Sequence, residues 1–448
     1  MLKMAKVFMG IKIGRSNVTT GTAAQAGSDV STHSEFEKVL APDRLTALMR
    51  STWTWDDRAL RRDLSALLVE IAAARGDAAD GPIGTALRGR GLASGVRFVA
   101  NVLGPHLVAD VGSTDRSQFI SAAIDPADFD RAASTARSEV QSVAREYLCA
   151  ISERADYPDE SSWLSMGTAD GLGEAMRGYG YTLASSPLLG NVALAWLTLR
   201  ALGADGSEYA DRIERGEISA TLAAAERSGS WDPALVRTKA DPVTGGWTLT
   251  GVKHFVPDAA NADVILTVAR SIAGPSLFAV DAKAPGVTVT ELAGIDSTRP
   301  LFTVRFDATP AELLGREGRG GALMRHSIDL LMTALAGEQV GLIERAAEVL
   351  LQHAQDDSLE EQLTQAAMDH AAAVSLWRQA QGTHAEVGSA AAAHIGCSTA
   401  SLRVASLAAE VAGDSEEAAA IQRRALSTSL LLGGPAVFYE RLLDRLEI

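Results

Sequence analysis

Few residues of this chain stand at spacings that carry chemistry. Cys149 and Cys397 lie far apart, the histidines are scattered, and no HExxH or CxxC run occurs, so no metal centre is expected. Two stretches remain. The first is AERSGSWDPALVRTKADPVTGGWTLTGVKHFVPDA, Ala225 to Ala259, which opens as a small polar loop holding Ser228, Ser230 and one large indole, Trp231. Such a loop is built to grip something, although the same indole can plug a cavity in its own fold. The second is the pair Gly433-Gly434, followed by Glu440 and Asp444. Four apart on a helical tail, these carboxylates share a face, which marks a wet surface more often than a base.

The elements that must position these residues follow from hydrophobic period. Residues 1–50 have no clear pattern and are expected to be a flexible or irregular arm. Leu60, Leu64, Leu67, Leu68 and Ile71 form one helical stripe. DAADGPIGTALRGRGLASG reads as loop, and Val96 to Gly112 as either a strand or a buried helix. Asp125-Pro126 opens a long helix, with Asp125 as its cap. GLGEAMRGYGYTLA, GNVALAWLTLRALG and SEYADRIERG add three more. From Ile218 to Phe306 the period changes to short runs, WTLTGVKHFV, DVILTVAR, SLFAVDA, GVTVTEL and LFTVRFDA, separated by turn signals. Trp247 and Leu249 alternate with Thr248 and Thr250, so one face is buried and one wet. After Gly320-Gly321 the period is helical to the end, broken at Gly382, Gly388 and Gly433-Gly434. The expected fold is α+β: an arm over 1–50, a mainly helical domain over 51–217, a middle antiparallel β domain (barrel or sandwich) over 218–316, and a C-terminal four-helix bundle over 317–448.

Composition bounds the function. A formal charge of −15 argues against nucleic acid, which needs clustered Lys and Arg. No stretch has the uncharged apolar length of a membrane span. MLKMAKVFMGIKIGRSN lacks the long apolar region of a signal peptide, so a cytoplasmic protein with reduced thiols is expected.

Three passages resemble the acyl-CoA dehydrogenases, flavoproteins that desaturate acyl thioesters. AERSGSWDPALVRTKA is similar to the family's T-E-P-G-x-G-S-D loop and the strand after it. WTLTGVKHFVPDAANADVILTVAR resembles its strand-turn-strand, G-x-K followed by an aromatic. DSTRPLFTVRFDATPAELLG resembles the closing strand and exit loop of the β domain. The resemblance implies FAD as cofactor, an acyl-CoA as substrate, and an oligomer. That chemistry needs a flavin to accept hydride, donors on the thioester oxygen and a carboxylate at the α carbon. Carried over residue by residue, the flavin contacts fall on Ala225, Ser230, Trp231, Phe255, Pro257, Gly433 and Gly434, and the base on Glu440.

The same comparison exposes departures. Ala225 stands for a threonine, Arg227 for a proline, and Trp231 for the serine near the diphosphate. Leu331 occupies the place of the base used by one branch of the family. HAQDDSLEEQLTQAAMDH takes the place of an arginine-bearing element, and Asp356, Asp357, Glu360 and Glu361 would repel a diphosphate; they also suit a solvated helix start capped by Ser358. Two functions therefore stand side by side: an FAD-dependent acyl-CoA dehydrogenase, or an impaired subunit of that fold paired, in a homo- or hetero-oligomer, with an active dehydrogenase-like partner.

Overall fold

The computed structural model describes residues 40–75, 81–104, 119, 126–153, 157, 169–354, 357–382 and 385–448. The expected arm over residues 1–39, the Asp125 cap and Asp356 lie outside these. Helix α1 (Pro42–Ser51) already breaks the expectation of an irregular segment to residue 50: Pro42 starts it, and Leu45, Leu48 and Met49 bury one stripe. In α2 (Arg58–Ala73), Asp57 caps the free amides of Ala59 and Leu60, and Leu64, Leu67 and Leu68 are buried as the period requires.

Most of the stretch expected to be loop is helix too. It forms α3 (Gly81–Leu103), whose second half resolves the strand-or-helix ambiguity in favour of helix. Its glycines are packing seats, not breakers: a Cβ on Gly95 would meet Leu40 at 2.5 Å. The helix opened by Pro126 runs as α4 (Pro126–Glu153), followed by α5 (Ala169–Tyr181). A π-helical segment, Leu188–Trp196, leads into α6 (Leu197–Leu202), and α7 (Ser207–Glu214) ends the helical part.

The middle unit is one seven-stranded sheet: β1 (Ala220–Ala223), β2 (Lys239–Val243), β3 (Gly246–Pro257), β4 (Val264–Ser271), β5 (Gly274–Asp281), β6 (Val287–Leu292) and β7 (Leu301–Leu314). Pairings are antiparallel except that β1, and one residue of β2, run parallel to β4. Long β7 pairs with β3, β5 and β6 in turn. Leu249, Phe278, Val304 and Phe306 fill a core of its own.

The bundle comprises α8 (Gly320–His353), α9 (Glu360–Ala380), α10 (Ser389–Ala412) and α11 (Glu416–Leu430), with α12 (Pro435–Arg445) after the glycine pair. Helices α5 and α8 touch backbone to backbone, because a Cβ on Gly341 would lie 1.9 Å from the Arg177 carbonyl. Between them Glu344 is buried and accepts from Arg177 Nη2 at 2.6 Å, Tyr157 at 2.6 Å and His370 Nε2 at 3.0 Å. Burial alone would raise its pKa, but His370 and Arg177 overcome this and hold the carboxyl at about 2. Glu360 and Glu361, expected to repel a diphosphate, instead pair with Arg145 and Arg137 of α4. None of the described helices is long and apolar enough to cross a membrane.

His394 of α10 is fully buried against the edge of Phe438 from α12, and neither ring nitrogen has a partner among the described residues. Burial lowers its pKa to about 3. The folded state thus binds this proton more weakly than the unfolded chain. Its contribution to stability is complete above about pH 6.5 and declines as pH falls toward 3. Denaturant titrations at pH 7 and pH 5 should show a loss approaching about 1.4 kcal/mol per pH unit from this residue. His394→Leu should abolish that component; an unchanged pH slope in the variant would contradict it.

Candidate functional site

The loop after β1 is set by a buried lysine. Lys253 of β3 is completely inaccessible, and its Nζ donates to the Ala224 carbonyl at 3.2 Å and to Glu226 Oε1 at 3.1 Å. Burial pushes its pKa down to about 8, partly countered by Glu226. The Glu226 carboxylate also accepts from the amides of Arg237 and Thr238 and from the Thr238 hydroxyl. One ion pair therefore closes both ends of the loop, and the His254 amide donates to the Ala225 carbonyl to lay it along β3.

Within that frame Gly229 turns with a φ of 73°. Ser228 Oγ accepts from the Ser230 amide and Ser230 Oγ from that of Asp232, which caps the short turn at Pro233. Neither serine proton goes to another described residue, so both remain for a ligand or water. The Ala225 amide likewise has no acceptor among the described residues. Trp231 turns from the loop toward the bundle, at the joint after α11. It is 7% exposed, packs within the helical core, and donates from Nε1 to the Leu431 carbonyl at 3.1 Å.

Opposite the loop stands the joint between α11 and α12. Gly433 and Gly434 take φ values of 112° and 88°, and a Cβ on Gly433 would lie 3.6 Å from the Gly229 carbonyl. The third wall is the turn ending β3. Phe255 has a φ of 59°, uncommon for an aromatic residue, and its ring is left 39% exposed beside Gly229. Pro257 is buried, and its carbonyl accepts from Thr221. The π-helical segment holds this turn from behind. The Gly190 amide donates to Asp258 at 2.9 Å and Asn191 accepts from the Ala220 amide at 2.7 Å. Loop, joint and turn thus converge, bringing together Ala225, Ser230, Trp231, Phe255, Gly433 and Gly434.

Behind them lies a dry charge cluster. Glu338 of α8 is fully buried and accepts from Arg299, in the loop before β7, and from Arg424 Nε of α11 at 2.7 Å. Arg424 also donates to Thr298 at 2.6 Å and to the Ala184 carbonyl at 3.1 Å, and lies 4.4 Å over the Tyr179 ring. Arg299 donates to Thr428 at 3.1 Å. Asp258 faces this cluster, and its burial raises its pKa.

Glu440 sits elsewhere. It faces α2, where Arg61 Nη2 reaches it at 2.6 Å, and its side chain is 49% exposed. Leu331 is buried. The sequence alone assigns no role to Lys253, Glu226, Arg299, Glu338 or Arg424. Signals exist for several: Lys253 and Arg299 lie within the quoted G-x-K and S-T-R-P runs, and Glu338 interrupts the apolar run TALAGEQVGLI, where a charge requires a partner.

A helical domain, a middle β unit and a C-terminal helical bundle make up the acyl-CoA dehydrogenase fold. Residues 221–308 match the acyl-CoA dehydrogenase middle domain. The chain is 29% identical over 157 residues to an L-prolyl-[peptidyl-carrier protein] dehydrogenase of a Serratia species, a match covering 33% of this chain and 41% of that protein. It is 28% identical over 160 residues to an acyl-CoA dehydrogenase of Bacillus subtilis, covering 33% and 41%. These matches span less than half the length of either relative. In three dimensions it aligns with butyryl-CoA dehydrogenase of Megasphaera elsdenii at a TM-score of 0.59 and 18% identity, over 69% of this chain and 98% of that one. PigA with FAD and proline aligns at 0.57 and 18% identity, over 69% and 97%.

Removing the carboxylate at the centre of the cluster should be costly. Glu338→Ala leaves Arg299 and Arg424 buried without their shared acceptor, and should lower unfolding free energy by about 3–5 kcal/mol. Urea denaturation measures it; a change below about 1 kcal/mol would mean that water or Asp296 compensates.

Proposed function

We propose that this chain is an FAD-dependent acyl-CoA dehydrogenase, removing hydrogen across the α and β carbons of an acyl-CoA thioester. Phe255 carries this reading. A ring left open in a left-handed backbone conformation, beside a free Ala225 amide and two serine protons, suits a flat ligand with polar edges. The flavin, when bound, would accept the hydride. This chain's residues would wall the ring with Phe255, meet its polar edge with the Ala225 amide and the Ser230 hydroxyl, and keep water out with Pro257 and the glycine joint. Glu440 is the carboxylate proposed as base, and to act it would have to exchange Arg61 for the substrate's α carbon. The protein would work in the cytoplasm as a homo- or hetero-oligomer.

A second reading, an impaired subunit paired with an active dehydrogenase-like partner, is favoured by two observations: the Arg61–Glu440 ion pair and the seating of Trp231 on the Leu431 carbonyl.

Purified protein incubated with excess FAD and desalted tests both. The first reading expects a flavin spectrum near one equivalent per chain, bleached by an acyl-CoA and much more slowly in Glu440→Gln. Flavin retained with equal bleaching in the variant clears Glu440 as base. A colourless chain rejects the first reading, and its co-purification with an active dehydrogenase subunit would establish the second.

A further inference from the structure

We infer that Trp231 is a built-in occupant of the crevice, competing with the flavin and setting how tightly this chain holds it; the inference rests on the FAD reading above. Three observations combine. The indole is buried in the helical core although it belongs to a loop of the β domain. Its N–H is bonded to Leu431, the residue that ends α11 just before the glycine joint. The loop and the joint are in contact range, since a Cβ on Gly433 would lie 3.6 Å from the Gly229 carbonyl. Loop and joint are therefore held together by this side chain, while the neighbouring Phe255 is left open.

A ring system lying on Phe255 and reaching the joint needs the space under Leu431. Admitting it means breaking the indole bond and lifting the loop about Gly229, whose positive φ already gives it a glycine-only freedom. The rest of the loop need not move. Glu226 stays on Lys253 and Thr238, and the turn at Pro233 stays capped by Asp232. Burial of an indole and its hydrogen bond thus opposes cofactor entry, and the bound ring must replace both. The Leu431 carbonyl, once released, becomes an acceptor for a ring N–H.

FAD titration of the apo protein, followed by quenching of flavin fluorescence, tests this. Trp231→Ser should bind FAD at least about tenfold more tightly than the wild type, since the lost hydrogen bond and indole burial together exceed the free energy of one decade in affinity. Trp231→Phe, which keeps the bulk and loses only the bond to Leu431, should gain less. Far-ultraviolet circular dichroism confirms that each variant is folded. Should Trp231→Ser fail to fold, the wild type still decides: a red shift of tryptophan emission on FAD binding, lost in Trp231→Phe, reports the indole leaving its seat. Wild type and Trp231→Ser binding FAD equally, or the variant more weakly, overturns the inference and leaves the FAD reading intact. If neither binds FAD, the FAD reading falls and the inference falls with it.

Discussion

The way the helical domain, the β unit and the bundle meet depends on one buried carboxylate. Glu338 sits in the middle of α8, fully buried, and takes its neutralisation from Arg299 in the loop before β7 and Arg424 in α11. Desolvating these groups is expensive, and the attraction between them offsets the cost only while all three stay in register. Arg424 reaches on to Ala184 beyond α5, so helical domain, β unit and bundle are referenced to one point. A hydrophobic contact tolerates sliding; this one does not.

The second constraint is smaller and more local. Lys253 and Glu226 close the loop from below, and the π-helical segment braces the turn at Asp258 from the side. Between these fixed ends Gly229 alone has a glycine's backbone freedom, and Trp231 hangs two residues beyond it. The Phe255 turn is thus braced from behind, while the loop turns at Gly229.

Much of the architecture is legible from period alone. The five longer strands and the bundle helices fall where alternation and helical stripes place them, because each must bury one face. Two strands escape. ATLA is too short to alternate, and KADPV carries a proline that reads as a turn. Helix α3 escapes because its glycines imitate loop composition, whereas they admit Leu40 and the neighbouring helices to close range. At the candidate site, motif resemblance singles out the loop, the aromatic turn and the glycine joint. It does not supply the ion pairs that hold them. Glu226 looks like a surface charge, and Lys253 and Glu338 only signal that a partner is needed; the partners, distant in sequence, appear in the fold.

The order of strands has a consequence for how the protein is made. β7, last of the seven in sequence, is the strand on which β3, β5 and β6 all meet, and β6 pairs with no other strand among the described residues. During synthesis the β unit cannot close until the ribosome has passed Leu314. Until then the nascent chain presents unpaired edges on β3 and β5, the state in which a half-finished sheet is most prone to stick to another.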